Sequence, residues 1–428
     1  MRRTEILLML LSTAIMALGL WLVCLNHGHD PLRVMRVLTV AGSFLTAAML
    51  MRVNGEQRDH LLLPAVSLIA GIGVVFLWRL DPDMASRQII WIMLGSALMI
   101  IVYYLIDDVR DLANYKYIAG LGAVALMVLT MAIGEERGGA QLWVRVPWFW
   151  PLSVQPGEFA KVLICIFLAG YVADKGELIR GVASDPGFFG SLALRYMGPL
   201  IAVVLFSLAL FVGLNDLGAA LLFFGLFVAV SYLATGRKRY PALMSVLFAA
   251  GAVGAYSFFP HVARRMAAWL APTGDPTGAG FQILQVLYGL AAGGLSGTGF
   301  GKGFPDALPA AETDAILAVV GEEIGLLGAA ALMMLFVLVS HRMFSIAWQC
   351  VDSFGAMLAA SLGTVFALQT LVIVGGLLRI IPLTGVTLPF VSYGGTSIVV
   401  NFVALGLVLA VSRDCRPPLA RESEARAA

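Results

Sequence analysis

Near its start the chain reads Ile6-Leu-Leu-Met-Leu-Leu-Ser-Thr-Ala-Ile-Met-Ala-Leu-Gly-Leu-Trp-Leu-Val-Cys-Leu25, without a single charged side chain. A transmembrane helix needs about 20 apolar residues, because each residue advances the helix by about 1.5 Å across a hydrocarbon layer of about 30 Å. The preceding Met1-Arg-Arg3 is typical of a signal peptide, but no cleavage motif of small residues stands before Asn26. We therefore interpret this run as an uncleaved transmembrane span.

The composition excludes a soluble protein. The chain of 428 residues is 60% hydrophobic and 13% charged, with a mean hydropathy of +0.90. A soluble protein carries about 25% charged residues, so this chain cannot cover itself with polar surface and must be solvated by lipid. The same numbers exclude disorder. The net charge of +2 excludes a nucleic-acid partner, which would require a strong basic excess.

Comparable apolar runs predict about twelve transmembrane helices and hence an all-α, polytopic membrane protein. The predicted spans are 5–25, 34–52, 61–78, 88–106, 117–133, 157–173, 195–213, 216–235, 240–259, 314–340, 353–378 and 386–411. An even number of spans places both termini on one side, and the loops on that side hold most of the lysines and arginines. Because such an excess marks the cytoplasmic face, we predict cytoplasmic termini and outward loops at 134–156 and 260–313.

The cysteines and histidines form no recognisable metal or redox motif. The four cysteines contain no CxxC pair and the five histidines no HExxH, and the pair His27-x-His29 is a weak metal signal. Cys350 and Cys415 fall on the predicted cytoplasmic side, where thiols stay reduced. The sequence therefore predicts no disulfide.

Two carboxylates mark the predicted span 314–340. Asp314 precedes an apolar helix, where it either caps the helix or acts as a general base at the membrane boundary, and the two roles are compatible. Glu322 lies about 12 Å deeper on the side nearer Asp314, whereas a helical wheel turns Glu323 away. Because a charge inside a bilayer costs about 2.5–3.5 kcal/mol, Glu322 needs a partner or a wet cavity, and an ion pair and a substrate contact both satisfy this need.

Charged side chains also stand at the starts of two other spans. Glu158 and Lys161 are three residues apart and share a helix face, so they form either an internal salt bridge or a site in which Lys161 faces an anionic substrate. Asp216 begins the span 216–235, where the pattern favours a capping role.

Glycines are concentrated in what we call the glycine-rich segment, residues 293–303. This segment is not a nucleotide-binding P-loop, because Ser296 stands where that motif needs its first glycine and Gly303 where it needs Ser or Thr. A flexible hinge or tight turn is the simplest interpretation, and a nest of backbone amides for a lipid phosphate is the alternative.

The outward ends of the spans thus combine the carboxylate of Asp314 with several cations, which are Lys161, Arg145, Arg264, Arg265 and Lys302. This set suits a lipid-linked diphosphate, because the cations can hold the phosphates while the carboxylate takes a proton from an attacking hydroxyl. A nucleophile constellation does not compete, since Ser392 has no histidine near it in the sequence.

Several segments, in order along the chain, resemble one family. Pro382-Leu-Thr-Gly-Val-Thr-Leu-Pro-Phe-Val-Ser-Tyr-Gly-Gly-Thr-Ser397 resembles the C-terminal signature of the SEDS proteins (shape, elongation, division and sporulation). The other matching segments are Gln155-Pro-Gly-Glu-Phe-Ala-Lys161, Asp216-Leu-Gly218, Asp275-Pro-Thr-Gly-Ala-Gly-Phe-Gln282, and Thr313-Asp314 followed by Gly321-Glu-Glu-Ile-Gly325. The resemblance covers roughly residues 60–412, and several ordered motifs make it specific.

SEDS proteins such as RodA and FtsW are peptidoglycan glycosyltransferases. The resemblance implies polymerisation of lipid II, the undecaprenyl-diphosphate-linked disaccharide-pentapeptide, at the outer leaflet of the bacterial cytoplasmic membrane. It implies that Asp314 is the essential carboxylate and that Glu158 and Lys161 line the substrate cavity. It also implies a monofunctional penicillin-binding protein as the transpeptidase partner.

The sequence departs from the family pattern at a few positions. Gly157 stands where the family has Ser. The segment Gly139-Ala-Gln-Leu-Trp143 has lost a basic residue of the family pattern, and Arg145 can take the place of that residue. Trp143 remains a substrate-binding candidate. The family has ten core spans, so the expected regions are a two-helix extension, a membrane core and a cytoplasmic tail, at 1–56, 57–413 and 414–428. The extension resembles that of some RodA-like actinobacterial members.

The predicted function is glycan polymerisation for cell-wall elongation or division, with Asp314 as the catalytic base. The substrate-binding candidates are Glu158, Lys161, Arg264, Arg265, Lys302, Trp143 and Glu322. A divalent cation, magnesium or manganese, is compatible with a diphosphate substrate, although the sequence contains no ligand cluster for it. Two alternatives stay open, a lipid II flippase and a non-catalytic scaffold for a penicillin-binding protein.

Overall fold

The computed structural model describes residues 2–27, 31–51, 58–137, 140–145, 153–183 and 191–415. The α-helices are α1 (Arg2–His27), α2 (Pro31–Leu50), α3 (Leu62–Leu80), α4 (Pro82–Leu105), α5 (Lys116–Ile133), α6 (Pro156–Ala183), α7 (Ser191–Gly213), α8 (Leu217–Thr235), α9 (Arg239–Phe258), α10 (Pro260–Leu270), α11 (Phe281–Gly293), α12 (Ile316–Gln349), α13 (Ser353–Leu377) and α14 (Gly395–Asp414). The strands are β1 (Glu135–Arg137), β2 (Ala140–Arg145) and β3 (Ser153–Val154).

These helices confirm the predicted all-α membrane architecture. Within the described residues, nine helices are long and apolar enough to cross a membrane. Each of the predicted spans overlaps one observed helix. The chain is therefore a multi-pass membrane protein.

The predicted span 386–411 begins too early, because α14 starts only at Gly395. Pro389 has no amide hydrogen to donate, and Phe390 has a φ of 64°, outside the helical region. The residues before Gly395 therefore cannot continue a regular helix.

Both predicted outward loops contain regular structure. The loop 260–313 includes the helices α10 and α11, and the loop 134–156 includes an antiparallel sheet in the order β1-β2-β3. The predicted tail lies outside the described residues from position 416 onward, as does His29.

The chain forms two compact units. The first unit comprises Met1–Leu105, Pro260–Arg342 and Gln369–Gly406. The second unit comprises Ile106–Phe259, Met343–Leu368 and Leu407–Ala428.

In the first unit, α1 packs along α3. The Ser12 and Ser67 hydroxyl oxygens lie 3.3 Å apart, and Met16 lies against Gly71, where any larger residue would collide with the Met16 side chain. Glu5 of α1 is 0% exposed, and Arg58 Nη2 donates to its Oε1 at 2.9 Å. Because a charge in an apolar helix needs a partner, this ion pair fixes one end of α1.

In the second unit, α12 and α14 end beside each other. Cys350 and Cys415 form a disulfide there, with their Cα atoms 4.6 Å apart. The prediction of no disulfide is therefore wrong for this pair. That prediction compared compartments only, and the sequence does not reveal that two helix ends separated by 65 residues meet in space.

Arg58→Ala should lower the free energy of unfolding by about 3–5 kcal/mol, because it leaves the buried Glu5 carboxylate without its cation. The measurement is thermal unfolding of the purified protein in detergent. Arg110→Ala serves as the control, since that side chain is 56% exposed and its surface ion pairs contribute little. Equal melting temperatures for the two variants would contradict the assignment.

Candidate functional site

Asp314 lies half-buried in the turn that precedes α12. A Cβ atom placed on Gly385 would lie 3.5 Å from Asp314 Oδ2, so the carboxylate faces the irregular stretch between α13 and α14. The helix begins only at Ile316. The helical wheel that placed Glu322 beside Asp314 therefore does not apply.

Ser392 holds the turn that carries Asp314. Its hydroxyl donates to the Thr313 carbonyl at 2.6 Å and accepts from the Leu388 amide at 2.9 Å. Gln88 of α4 in turn donates to the Ser392 carbonyl at 2.9 Å. Ser392 is thus part of the support of the turn, in agreement with its rejection as a nucleophile.

Arg265 of α10 approaches the same stretch. Its Nη1 donates to the carbonyl of Thr384, the neighbour of Gly385, at 3.4 Å. The structure therefore brings Asp314 and Arg265 to adjacent residues, Gly385 and Thr384.

The other polar groups of α10 differ in their surroundings. Arg264 is exposed. Burial lowers the pKa of the His261 imidazole below its ordinary value, and the positive charges of Arg265 and Arg264 lower it further. At neutral pH the positive charge of α10 therefore comes from its arginines.

Glu322 and Glu323 are both buried, at 4% and 1% exposure. Glu322 Oε1 accepts from the Phe304 amide at 2.9 Å, and Glu323 Oε2 accepts from the Gly301 amide at 2.8 Å. Amides in and just after the glycine-rich segment thus bind carboxylates of the chain itself. The substrate contact of Glu322 stays a prediction, and Lys302, between these two amides, is exposed.

In the second unit, Glu158 and Lys161 form the predicted salt bridge at the start of α6. Lys161 Nζ lies 2.7 Å from Glu158 Oε2, and both side chains are largely buried. Asp216 accepts from the Ala219 amide at 2.9 Å, which confirms its capping role at α8.

Trp143 lies half-buried on β2, where it pairs with Glu135 of β1. Arg145, on the same strand, forms an ion pair with Glu135 at 2.7 Å. Arg145 therefore has a carboxylate partner within the sheet, and Trp143 stays a substrate-binding candidate of the second unit.

Sequence reasoning missed the supporting residues of the first unit. Arg79, at the end of α3, donates to Glu323 Oε1 at 3.2 Å and to the Gly303 carbonyl at 3.2 Å. Its signal in the sequence was a lone arginine at the end of an apolar span. Gln88 and Ser392 gave no comparable signal, because the carbonyls to which they donate, those of Ser392 and Thr313, are far away along the chain.

Within the described part of the chain, no three or more His, Cys, Asp and Glu side chains are grouped to hold a metal ion. The divalent cation considered from the sequence therefore has no ligand cluster among these residues.

Comparison with known families identifies the fold. Residues 59–416 match the FtsW/RodA/SpoVE family, described as cell cycle proteins. The chain belongs to this family. The resemblance to SEDS proteins seen in the motifs is thereby confirmed.

Relatives in this family include actinobacterial proteins of similar length. The chain is 38% identical to the peptidoglycan glycosyltransferase RodA of Mycobacterium tuberculosis, over 98% of this chain and 92% of that protein. It is 39% identical to the Mycobacterium leprae protein of the same name, over 88% of this chain and 82% of that protein. These matches confirm the predicted likeness to actinobacterial RodA.

Solved structures share the architecture. A peptidoglycan synthase complex that coordinates polymerization and crosslinking contains a chain with a TM-score of 0.67 and 28% identity, covering 83% of this chain and 98% of that one. The crystal structure of the rod shape determining protein RodA of Thermus thermophilus gives a TM-score of 0.61 at 26% identity, with 84% and 98% covered.

Ser392→Ala should lower the free energy of unfolding by about 1–3 kcal/mol, because the Thr313 carbonyl and the Leu388 amide both lose a partner. Ser257→Ala is the matched control, since that exposed hydroxyl bonds only to Val253 of its own helix. Thermal unfolding of both variants measures the difference. If Ser392→Ala and Ser257→Ala have the same melting temperature, the Ser392 hydroxyl does not support the turn.

Proposed function

We propose that this chain is a peptidoglycan glycosyltransferase that polymerises lipid II into glycan strands for cell-wall growth. The match to glycosyltransferases of that name over 98% of the chain carries the proposal. Asp314 supplies a half-buried carboxylate suited to general-base chemistry. Ser392 supports the turn that holds it, and Arg265 contacts Thr384 nearby.

In the proposed reaction, Asp314 is the general base. Its carboxylate takes the proton from a sugar 4-hydroxyl of one lipid-linked substrate, and the freed oxygen bonds to the anomeric carbon of the growing chain. The bond from that carbon to the diphosphate oxygen breaks, and undecaprenyl diphosphate leaves with the electron pair, inverting the anomeric carbon. A base at a fixed place contributes typically 10²–10⁴-fold to such a step.

Cations are proposed to offset the charge of the leaving diphosphate. In the first unit the candidates are Arg265, Arg264 and Lys302, of which Lys302 and Arg264 are exposed. In the second unit Lys161 is the candidate, and it pairs with Glu158 at 2.7 Å in a largely buried place.

The proposed setting is the bacterial cytoplasmic membrane, with both termini in the cytoplasm and the reaction at the outer leaflet. The excess of lysine and arginine in the loops on the side of the termini supports this orientation. A monofunctional penicillin-binding protein is the proposed partner, because the synthase complex with the same fold joins polymerization to crosslinking.

Asp314→Asn should abolish polymer formation while preserving the fold, because the amide cannot accept the hydroxyl proton. The assay incubates purified protein with lipid II in detergent and resolves the glycan products by gel electrophoresis. Asp306→Asn, an exposed aspartate of the same region, is the control and should polymerise at the wild-type rate. Polymer from Asp314→Asn would refute its role.

The same assay separates the alternatives. Detergent leaves no membrane to cross, so a flippase would form no polymer. A scaffold would also be inactive alone, and would tolerate Asp314→Asn when the partner supplies the activity.

Lys161→Gln should lower kcat/KM for lipid II at least tenfold, equivalent to about 1.4 kcal/mol. The variant also unpairs Glu158, so the double variant Lys161→Gln/Glu158→Gln is made beside it. We expect the double variant to recover thermal stability but not activity. Recovery of both would assign the pair to folding alone.

A further inference from the structure

The helix α12 is interrupted at Gly325, whose φ of 71° and ψ of −175° lie outside the helical region. The glycine-rich segment supplies the hydrogen bonds that the break removes. Before the break, the Glu322 carbonyl accepts from the Thr298 amide at 2.9 Å and the Glu323 carbonyl accepts from the Gly299 amide at 3.1 Å.

After the break, the donors lie on α12. The Leu326 amide donates to the Gly294 carbonyl at 2.9 Å, and the Leu327 amide donates to the Leu295 carbonyl at 3.2 Å. The glycine-rich segment is therefore bound to α12 on both sides of Gly325. A hinge would lack this set of partners, so the interpretation as a tight turn is the one the structure favours.

Arg79 adds a buried contact from α3. Its guanidinium group reaches both Glu323 of α12 and the carbonyl of Gly303, each at 3.2 Å. Only 13% of the Arg79 side chain and none of the Glu323 side chain is exposed. Because charge-assisted bonds are stronger in such surroundings, Arg79 ties α3, α12 and the glycine-rich segment together.

The N-terminal helix α1 reaches the same segment. Asn26 Nδ2, at the end of α1, donates to the Phe300 carbonyl at 2.8 Å. The Phe300 ring packs edge-on against Phe76 of α3, with ring centroids 5.3 Å apart. At the other end of α1, Glu5 pairs with Arg58. The helix α1 is therefore held by a polar contact at each of its ends.

The part of α12 before the break follows directly on the turn that holds Asp314. Residues 316–324 form a short helical piece of about 13 Å, calculated from a rise of 1.5 Å per residue. Ser392 holds the turn at the beginning of this piece through Thr313, and Glu322 and Glu323 hold its end. A tilt at the end of the piece would therefore displace Asp314.

We propose that Arg79 and Asn26 are positioning residues for Asp314, which act by holding the glycine-rich segment against the break in α12. The helix α1, outside the family match at residues 59–416, is thereby part of the support of the catalytic carboxylate. This inference rests on the proposed role of Asp314 as the base.

Arg79→Ala should lower kcat for lipid II polymerisation about tenfold or more and leave KM within about twofold, since misplacing a catalytic group mainly slows the chemical step. Arg79→Lys keeps the charge beside Glu323 but loses the guanidinium fork, and should fall between Ala and wild type. Asn26→Ala should lower kcat about threefold, because it removes one exposed hydrogen bond.

Controls and a double variant test the coupling. Arg110→Ala, at an exposed arginine of the second unit, should keep the wild-type kcat. Glu323→Gln should act like Arg79→Ala, and the double variant should lose no more than the worse single variant, because both changes break one contact. Additive losses would show that the two residues act independently and would overturn the proposed contact.

Hydrogen exchange supplies a measurement that does not depend on activity. In Arg79→Ala, exchange should rise in residues 297–303 and in residues 312–320, whereas Arg110→Ala should leave both unchanged. If Arg79→Ala does not fold, the same exchange measurement is made on Arg79→Lys. Unchanged exchange in both segments, or a rise in KM with an unchanged kcat, would overturn the inference. If wild type forms no polymer, the proposed function fails, and exchange alone then tests the positioning.

Discussion

A backbone amide or carbonyl group without a partner inside a membrane protein costs several kcal/mol, because no water replaces the missing hydrogen bond. The break in α12 at Gly325 creates this problem, and the glycine-rich segment solves it. Its amides pair with the carbonyls before the break, and its carbonyls pair with the amides after it. Glycines fit here because a Cβ atom on Gly297 would collide with the Glu323 carbonyl, and a Cβ atom on Gly325 would collide with the backbones of Gly297 and Leu295. The position of the first part of α12 depends on this pairing.

Buried charges in this chain follow the same rule of mutual satisfaction. Glu5 pairs with Arg58, Glu158 with Lys161, and Glu323 with Arg79. A buried pair adds little net stability over apolar residues of the same size, but losing one partner is costly. The Glu323–Arg79 pair therefore restricts where α12 and α3 can lie relative to each other, and the Glu5–Arg58 pair holds α1 to the residues just before α3. The pairs within the first unit restrain α1, α3 and α12, the helices around the glycine-rich segment.

A general base is effective only when its carboxylate stays where the attacking hydroxyl is bound. Asp314 lies on a turn rather than on a helix, and a turn has fewer internal hydrogen bonds to fix it. The C-terminal signature compensates, since Ser392 bonds to the Thr313 carbonyl and the Tyr393 amide bonds to the Glu312 carbonyl at 2.8 Å. This gives the signature a structural reason, which is the support of the neighbouring carboxylate.

The sequence alone determined what depends on neighbours along the chain. Apolar length predicted the spans. A spacing of three residues placed Glu158 and Lys161 on one helix face, with a salt bridge as one of two interpretations, and a position before an apolar run favoured the Asp216 cap. Only the tertiary structure decided that Arg79 holds Glu323 and that Cys350 meets Cys415. The physical reason is distance along the chain: residues three apart on one helix meet whatever the fold, whereas residues on different helices meet only once those helices have packed.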